Sequence, residues 1–215
     1  MIVVSESVSV QSLSVRYGST HALDNVTAQF RPGTVTALVG HNGSGKSTLL
    51  QSLAGIVSPS TGSVHTGRRR VSYVPQRSDV SDRMSVSVAD VVTMGTWPRR
   101  GIFGRASAQD RRAVEDALER LKLTELRSRR LSTLSGGQRQ RAFLAQALVE
   151  NGDLVLLDEP TTGLDAEARE IINGVVGDEA ARGAVVVLAT HDPGDARRAT
   201  RIITLERGSV TERVR

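Results

Sequence analysis

Cysteine is absent from this chain of 215 residues. That excludes disulfides and thiolate metal sites, and it permits a reducing compartment without proving one. Aromatics make up only 3%, which leaves few platforms for stacking single-stranded bases. Lysine is nearly missing as well: Lys46 and Lys122 are the only two, and every other basic residue is arginine, a bias that fits a GC-rich coding sequence. The net charge is +5, yet the arginines alternate with acids, as in Asp110-Arg111-Arg112-Ala113-Val114-Glu115-Asp116. That is the pattern of a solvated helix face rather than a basic stripe, so no nucleic-acid partner is expected. No apolar run approaches the roughly 18 residues of a membrane span. Met1 to Val10 has neither a basic start nor a continuous apolar stretch, so no signal peptide is expected. Linkers, low-complexity tracts and internal repeats are missing too. What remains is 39% hydrophobic, enough for one soluble, cytosolic α/β domain with a small inserted lobe. Any membrane link has to come through a partner.

One segment carries more chemistry than any other. Gly40, His41, Asn42, Gly43, Ser44, Gly45, Lys46, Ser47 and Thr48 follow an apolar, β-branched run, Val35 to Val39, that reads as a buried strand. The glycines allow a tight turn that aims backbone N–H groups inward as an anion nest. Lys46 adds a positive charge for the β- and γ-phosphates, and the Ser47 hydroxyl is placed to ligate Mg²⁺. Lys46 to Leu53 reads as a helix whose positive end faces the phosphates. A chance Gly/Ser-rich turn would not lie between strand and helix, the context this motif requires.

The rest of the chain alternates. Val8 to Arg16 and Val26 to Phe30 are expected to be antiparallel strands, with a turn at Arg31-Pro32-Gly33. Residues 63–75 are expected to be a further strand pair with Arg68 to Arg70 near its turn. Helical stretches follow: Ser87 to Gly95, with Ser85 or Ser87 as cap, and Ser107 to Leu121, capped by Ser107 with Asp110 at the third position. After Gln138 a helix runs to about Glu150. The fully apolar Leu154 to Leu157 is a strand, Ala166 to Ala181 a helix and Ala184 to Ala189 a second buried strand. This order implies a parallel sheet covered on both faces. Ile202 to Glu206 and Val210 to Val214 close the chain around Gly208.

Leu154 to Leu157 runs into Asp158-Glu159, and the strand ends of parallel sheets are where ligands bind. Asp158 is expected to hold Mg²⁺ and Glu159 to polarise the attacking water as general base. Leu134-Ser135-Gly136-Gly137-Gln138 offers a hydroxyl, two glycines and a helix start, a second oxyanion-binding arrangement.

These elements together resemble the ATP-binding-cassette (ABC) ATPases, and the resemblance spans essentially the whole chain. It implies an α/β, P-loop NTPase fold of the ABC ATPase type. The ATP-binding core, residues 1–76 and 139–215, would have a mixed sheet and an antiparallel β subdomain. Residues 77–138 would be an inserted helical subdomain carrying the signature. The resemblance assigns Gln76 to the loop that senses Mg²⁺ and the attacking water, Asp165 in Gly163-Leu164-Asp165 to the loop that crosses the dimer interface, His191 to the switch at the γ-phosphate, and Tyr17 to stacking on adenine. Ser135, Gly136, Gly137 and Gln138 would close over the ATP of a partner copy, so hydrolysis would need a head-to-tail homodimer with two-fold symmetry. The chain departs from the family pattern at His41, where proline is frequent, at Thr162-Gly163 in place of Ser-Ala, and at Gln146 in place of arginine.

Val74-Pro75-Gln76-Arg77-Ser78-Asp79-Val80, Val88 to Gly95 and Trp97-Pro98-Arg99-Arg100-Gly101 are similar to the matching stretch of zinc and manganese importer ATPases, most of all the actinobacterial zinc importer type. The implied partners are an integral-membrane permease, contacted by Met94, Trp97, Ile102 and Phe103, and indirectly an extracytoplasmic metal-binding protein. The chain would sit on the inner face of the membrane through that permease. His21, His41, His65 and His191 are too widely spaced to suggest a zinc site in the ATPase itself. A manganese, iron or other nutrient importer, or a small exporter, is the alternative. Soluble ABC ATPases of translation or DNA repair carry tandem cassettes or long coiled-coil insertions, which this chain lacks.

Overall fold

The computed structural model describes residues 7–76 and 85–213. Arg77 to Val80 of the importer-like stretch and Val214 lie outside them. The chain forms two compact units.

The first unit comprises the chain up to Tyr73, Asp153–Glu159 and the residues from Val176 onward. It holds two sheets. Strands β1 (Val8–Tyr17), β2 (Thr20–Phe30) and β4 (Thr61–His65) form an antiparallel sheet in the order β2-β1-β4. The second sheet is six-stranded, built from β3 (Thr34–Val39), β5 (Val71–Val74), β6 (Leu154–Asp158), β7 (Val185–Thr190), β8 (Arg201–Glu206) and β9 (Ser209–Arg213). Its order is β5-β6-β7-β3-β8-β9. β3 pairs parallel with β7 and β8, and β6 parallel with β7, whereas β9 turns back antiparallel on β8. The sheet is therefore mixed. Every residue of β6 and β7 is buried, which explains why both read as apolar runs without alternation. The core joins both sheets through helix α1 (Lys46–Leu53): Leu13, Leu23 and Phe30 pack with Leu49, Leu50, Leu154 and Val187.

The expected strand pair over residues 63–75 is not formed. β4 pairs with β1, and β5 lies at the edge of the six-stranded sheet. Arg70 redirects the chain: its carbonyl accepts from the N–H groups of Asp153 and Leu154, and its own N–H donates to the Asp153 carboxylate. These bonds carry the strand to β6 and away from β4.

The second unit comprises Val74–Gly152 and Pro160–Val175. Helices α2 (Val88–Met94), α3 (Trp97–Arg100), α4 (Ala108–Arg120) and α5 (Gly136–Glu150) make up most of it, with the start of α6 (Ala166–Ala181). Val91, Val92, Val114, Leu118, Leu121 and Leu144 are buried here. Three of these helices begin with a capping box, Ser87 with Asp90, Ser107 with Asp110 and Ser135 with Gln138. In each, the serine hydroxyl takes one orphan N–H and the third residue takes another. Arg99 pins α3 in place, donating to the Val149 carbonyl at 2.6 Å and to Asp110 at 3.1 Å. At Gly95 a Cβ would collide with the Gln146 carbonyl and lie 2.9 Å from the Val149 Cβ. The end of α2 can therefore approach α5 so closely only with glycine there. This is where the Gln146 departure falls. Two helices went unread in the sequence, α3 and α7 (Pro193–Arg198), although proline in a first turn after Asp192 is a start signal.

Candidate nucleotide and magnesium site

In the first unit the loop from Gly40 to Gly45 leaves β3 and enters α1. Gly45 has φ 106°, and a Cβ there would lie 2.6 Å from the Ala22 carbonyl. At Gly40 a Cβ would strike the Leu205 carbonyl and sit 2.6 Å from Ser44 Oγ. The loop is thus wedged against its surroundings where only glycine fits. Its outer side is free, since nothing lies within 4 Å of a Cβ at Gly43. The Gly208 N–H donates to the Ser44 carbonyl at 3.1 Å, bracing the loop from behind. Lys46, 5% exposed, curls back so that its ammonium donates to the Gly40 and His41 carbonyls at 2.8 and 3.1 Å. A buried cation satisfied only by carbonyls is poised for anionic oxygens, which bind an ammonium more strongly. His41 is exposed, with its ring 2.8 Å from the Asn42 carbonyl.

β6 delivers the two acids. Asp158 and Glu159 are 3% and 7% exposed. Glu159 takes a left-handed φ of 49° as the chain leaves the strand, a conformation that costs energy for a residue other than glycine. Its N–H donates to the Ala189 carbonyl at 2.9 Å, tying it to β7. β7 then releases His191, whose Nδ1 lies 3.3 Å from Glu159 Oε1. Burial pushes the Asp158 carboxyl above the usual carboxylate range; the Ser47 hydroxyl and the Lys46 charge pull it back, and the Glu159 charge adds to the rise.

The residues fit Mg²⁺ and a triphosphate. Asp158 Oδ1 and Ser44 Oγ are buried without hydrogen-bond partners, and Ser47 Oγ faces Asp158. Hard oxygen donors of this kind suit Mg²⁺, which takes one or two protein oxygens and completes its shell with phosphate and water. Lys46, Ser47, Asp158, Glu159 and His191 are thus gathered at one end of the six-stranded sheet. Tyr17, 51% exposed at the end of β1, offers an open aromatic face.

The second unit presents a different kind of site. Ser135 caps α5, accepting from the Gln138 N–H at 3.2 Å, while the Gln138 carboxamide accepts from the Ser135 N–H at 3.1 Å. Gln138 therefore serves the helix start itself. Gly136 is open, with nothing within 4 Å of a Cβ. Gly137 faces Ala168 and Leu164, so the segment containing Asp165 packs on the signature helix. Asp165 caps α6 through the Ala168 N–H at 2.8 Å. Gln76 is exposed, two residues beyond β5.

Tyr73 was missed in the sequence. Its hydroxyl is buried, and the phenol faces Gln51 and Asp158. Within Val71-Ser72-Tyr73-Val74 a lone aromatic reads as core, and only the neighbouring strand shows what it faces.

Residues 23–162 match the family model described as ABC transporter, and the chain belongs to that family. It is an ATPase, the cassette that binds and hydrolyses ATP. It is 42% identical over 195 residues to the manganese transport system ATP-binding protein MntA of Synechocystis sp., covering 86% of this chain and 75% of that protein. It is 40% identical over 195 residues to the chelated iron transport system membrane protein YfeB of Yersinia pestis, covering 86% and 66%. Among solved structures it is similar to the dimeric bacterial ABC transporter cassette MJ0796, with a TM-score of 0.85 and 26% identity, covering 97% of this chain and 99% of that one.

Proposed function

We propose that this ATPase powers an importer for a divalent transition metal, working as a two-fold pair attached to an integral-membrane permease at the cytoplasmic face. The 42% identity to a manganese transport ATPase carries the cargo class, and the resemblance of Val74 to Gly101 to zinc and manganese importer ATPases agrees with it. Within that class the resemblance favours zinc, and the manganese relative favours manganese. No helix among the described residues is long and apolar enough to cross a membrane. Ile102 and Phe103, 63% and 100% exposed, are available for contact with the permease, while Met94 and Trp97 are half-buried. The dimeric MJ0796 cassette supports the pairing.

In this reading Lys46 and the loop N–H groups bind the β- and γ-phosphates, and Ser47, Asp158 and Gln76 hold Mg²⁺. When bound, Mg²⁺ neutralises charge on the phosphate oxygens. Glu159 accepts the proton of the attacking water. His191, 3.3 Å away, orients that carboxylate and reaches the γ-phosphate. Ser135 and the Gly136 and Gly137 N–H groups act on the ATP of the partner copy. Uptake measurement in a deletion strain tests the cargo. Loss of cellular zinc under chelation, rescued by zinc and not by manganese, supports zinc; the reverse rescue assigns manganese. Unchanged content of both metals, with no second importer present, overturns the proposal.

A further inference from the structure

Tyr73 lies on β5 and Asp158 on β6, neighbouring strands of one sheet. The Tyr73 hydroxyl and Asp158 Oδ1 are both buried, and neither has a well-formed hydrogen bond. The phenol is nonetheless close enough to feel the carboxylate, and Gln51 of α1 approaches it from the other side. A phenylalanine would fill the same space. The hydroxyl is the one atom that sets tyrosine apart here, and it is buried away from water, so a tyrosine at this place needs a use for its oxygen. A phenol keeps its proton at neutral pH and can donate to a carboxylate.

We propose that Tyr73 is a positioning residue for Asp158: its hydroxyl, steadied by Gln51, donates to one carboxylate oxygen and so fixes the oxygen that meets Mg²⁺. Partners of this kind orient metal ligands and tune their affinity. The arrangement links three parts of the site. Gln51 belongs to the helix that follows the phosphate loop, Asp158 ends the acidic strand, and Tyr73 stands three residues before Gln76 in the chain.

The inference rests on the assignment of Asp158 to Mg²⁺, and the two fail differently. Mg²⁺ is titrated into Tyr73→Phe, Asp158→Asn and the double variant in the presence of a fluorescent ATP analogue, and the midpoint is read from binding. Tyr73→Phe is expected to raise the Mg²⁺ midpoint roughly tenfold, the lower end for loss of such a partner, with analogue binding in EDTA unchanged. In the Asp158→Asn background the same substitution is expected to add little. A Tyr73→Phe midpoint equal to wild type, beside a shifted Asp158→Asn, overturns the role of Tyr73. A tenfold shift that persists without the carboxylate also overturns it. An unshifted Asp158→Asn overturns the metal assignment and the inference with it. Should Tyr73→Phe fail to fold, Gln51→Leu, which removes the amide behind the phenol, carries the same expectation at smaller size.

Discussion

The two units place polar groups on opposite terms with water. In the first, Lys46, Asp158 and Glu159 are each less than a tenth exposed, and their charges press on one another at the end of a sheet. In the second, Ser135, Gly136 and Asp165 lie at the surface on helix starts already closed by their own caps. Buried, closely grouped charges are suited to making and breaking bonds, because desolvation strengthens every interaction among them. Exposed helix starts are suited to recognising an anion brought from outside. The contrast agrees with the proposed division, chemistry in one unit and recognition in the other.

The strongest way to break that division is Glu159→Gln. It removes the base and keeps Lys46, Ser47 and Asp158, so phosphate release is expected to fall by about 10²–10⁴ while ATP binding survives and nucleotide-bound pairs accumulate. Wild-type turnover would remove Glu159 from its role. Next in size, Lys46→Ala and Ser135→Arg each disable one unit, and each protein alone is expected to be close to inactive. Mixing them leaves one intact composite site per mixed pair, so random exchange between independent sites restores about a quarter of wild-type sites. No recovery after demonstrated exchange counts against recognition across copies.

Two further changes sharpen the comparison from the structural side. Gly95→Ala drives a methyl into the Gln146 carbonyl, and overpacking of this kind costs about 1–3 kcal/mol. The loss is expected in urea melts reporting on the helical unit, with affinity for ATP retained. A variant as stable as wild type would mean that α2 shifts freely on α5. The smallest effect is at Asp110. Its carboxyl is held at about 2, first by the Ser107 N–H, then by the Ser107 hydroxyl and Arg99. The unfolded value is about 3.9, so this contribution is complete above that pH and is lost as the pH falls through about 2. Asp110→Ala is expected to cost about 1 kcal/mol at neutral pH, and the gap from wild type should close near pH 2. A gap that stays constant over that range would mean that the carboxylate charge contributes nothing.

Much of the sheet end that gathers Lys46 and the acidic pair was legible because its physics is local. The loop, the helix from Lys46 and the acidic pair each follow from a few adjacent residues, and the helix bounds fall where the pattern put them. The Ser87 and Ser107 caps were readable for the same reason. Pairing was not: Val71 to Val74 looks like a strand whatever lies beside it, and Arg70 bonding to Asp153 joins positions far apart in the chain. α3 and α7, of four and six residues, are too short to show periodicity. Tyr73 escaped notice because its significance lies in one oxygen on a neighbouring strand.

The bond from Gly208 to Ser44 has one more consequence. Gly208 also accepts from the Asp24 N–H at 2.9 Å, so the turn between β8 and β9 is clamped between β2 and the back of the phosphate loop. Any tightening of the loop must register at the Gly208 amide, whose proton should exchange more slowly with solvent deuterium once nucleotide is bound. A hairpin remote in sequence from every reacting group thus becomes a gauge of occupancy, readable without a label on the nucleotide.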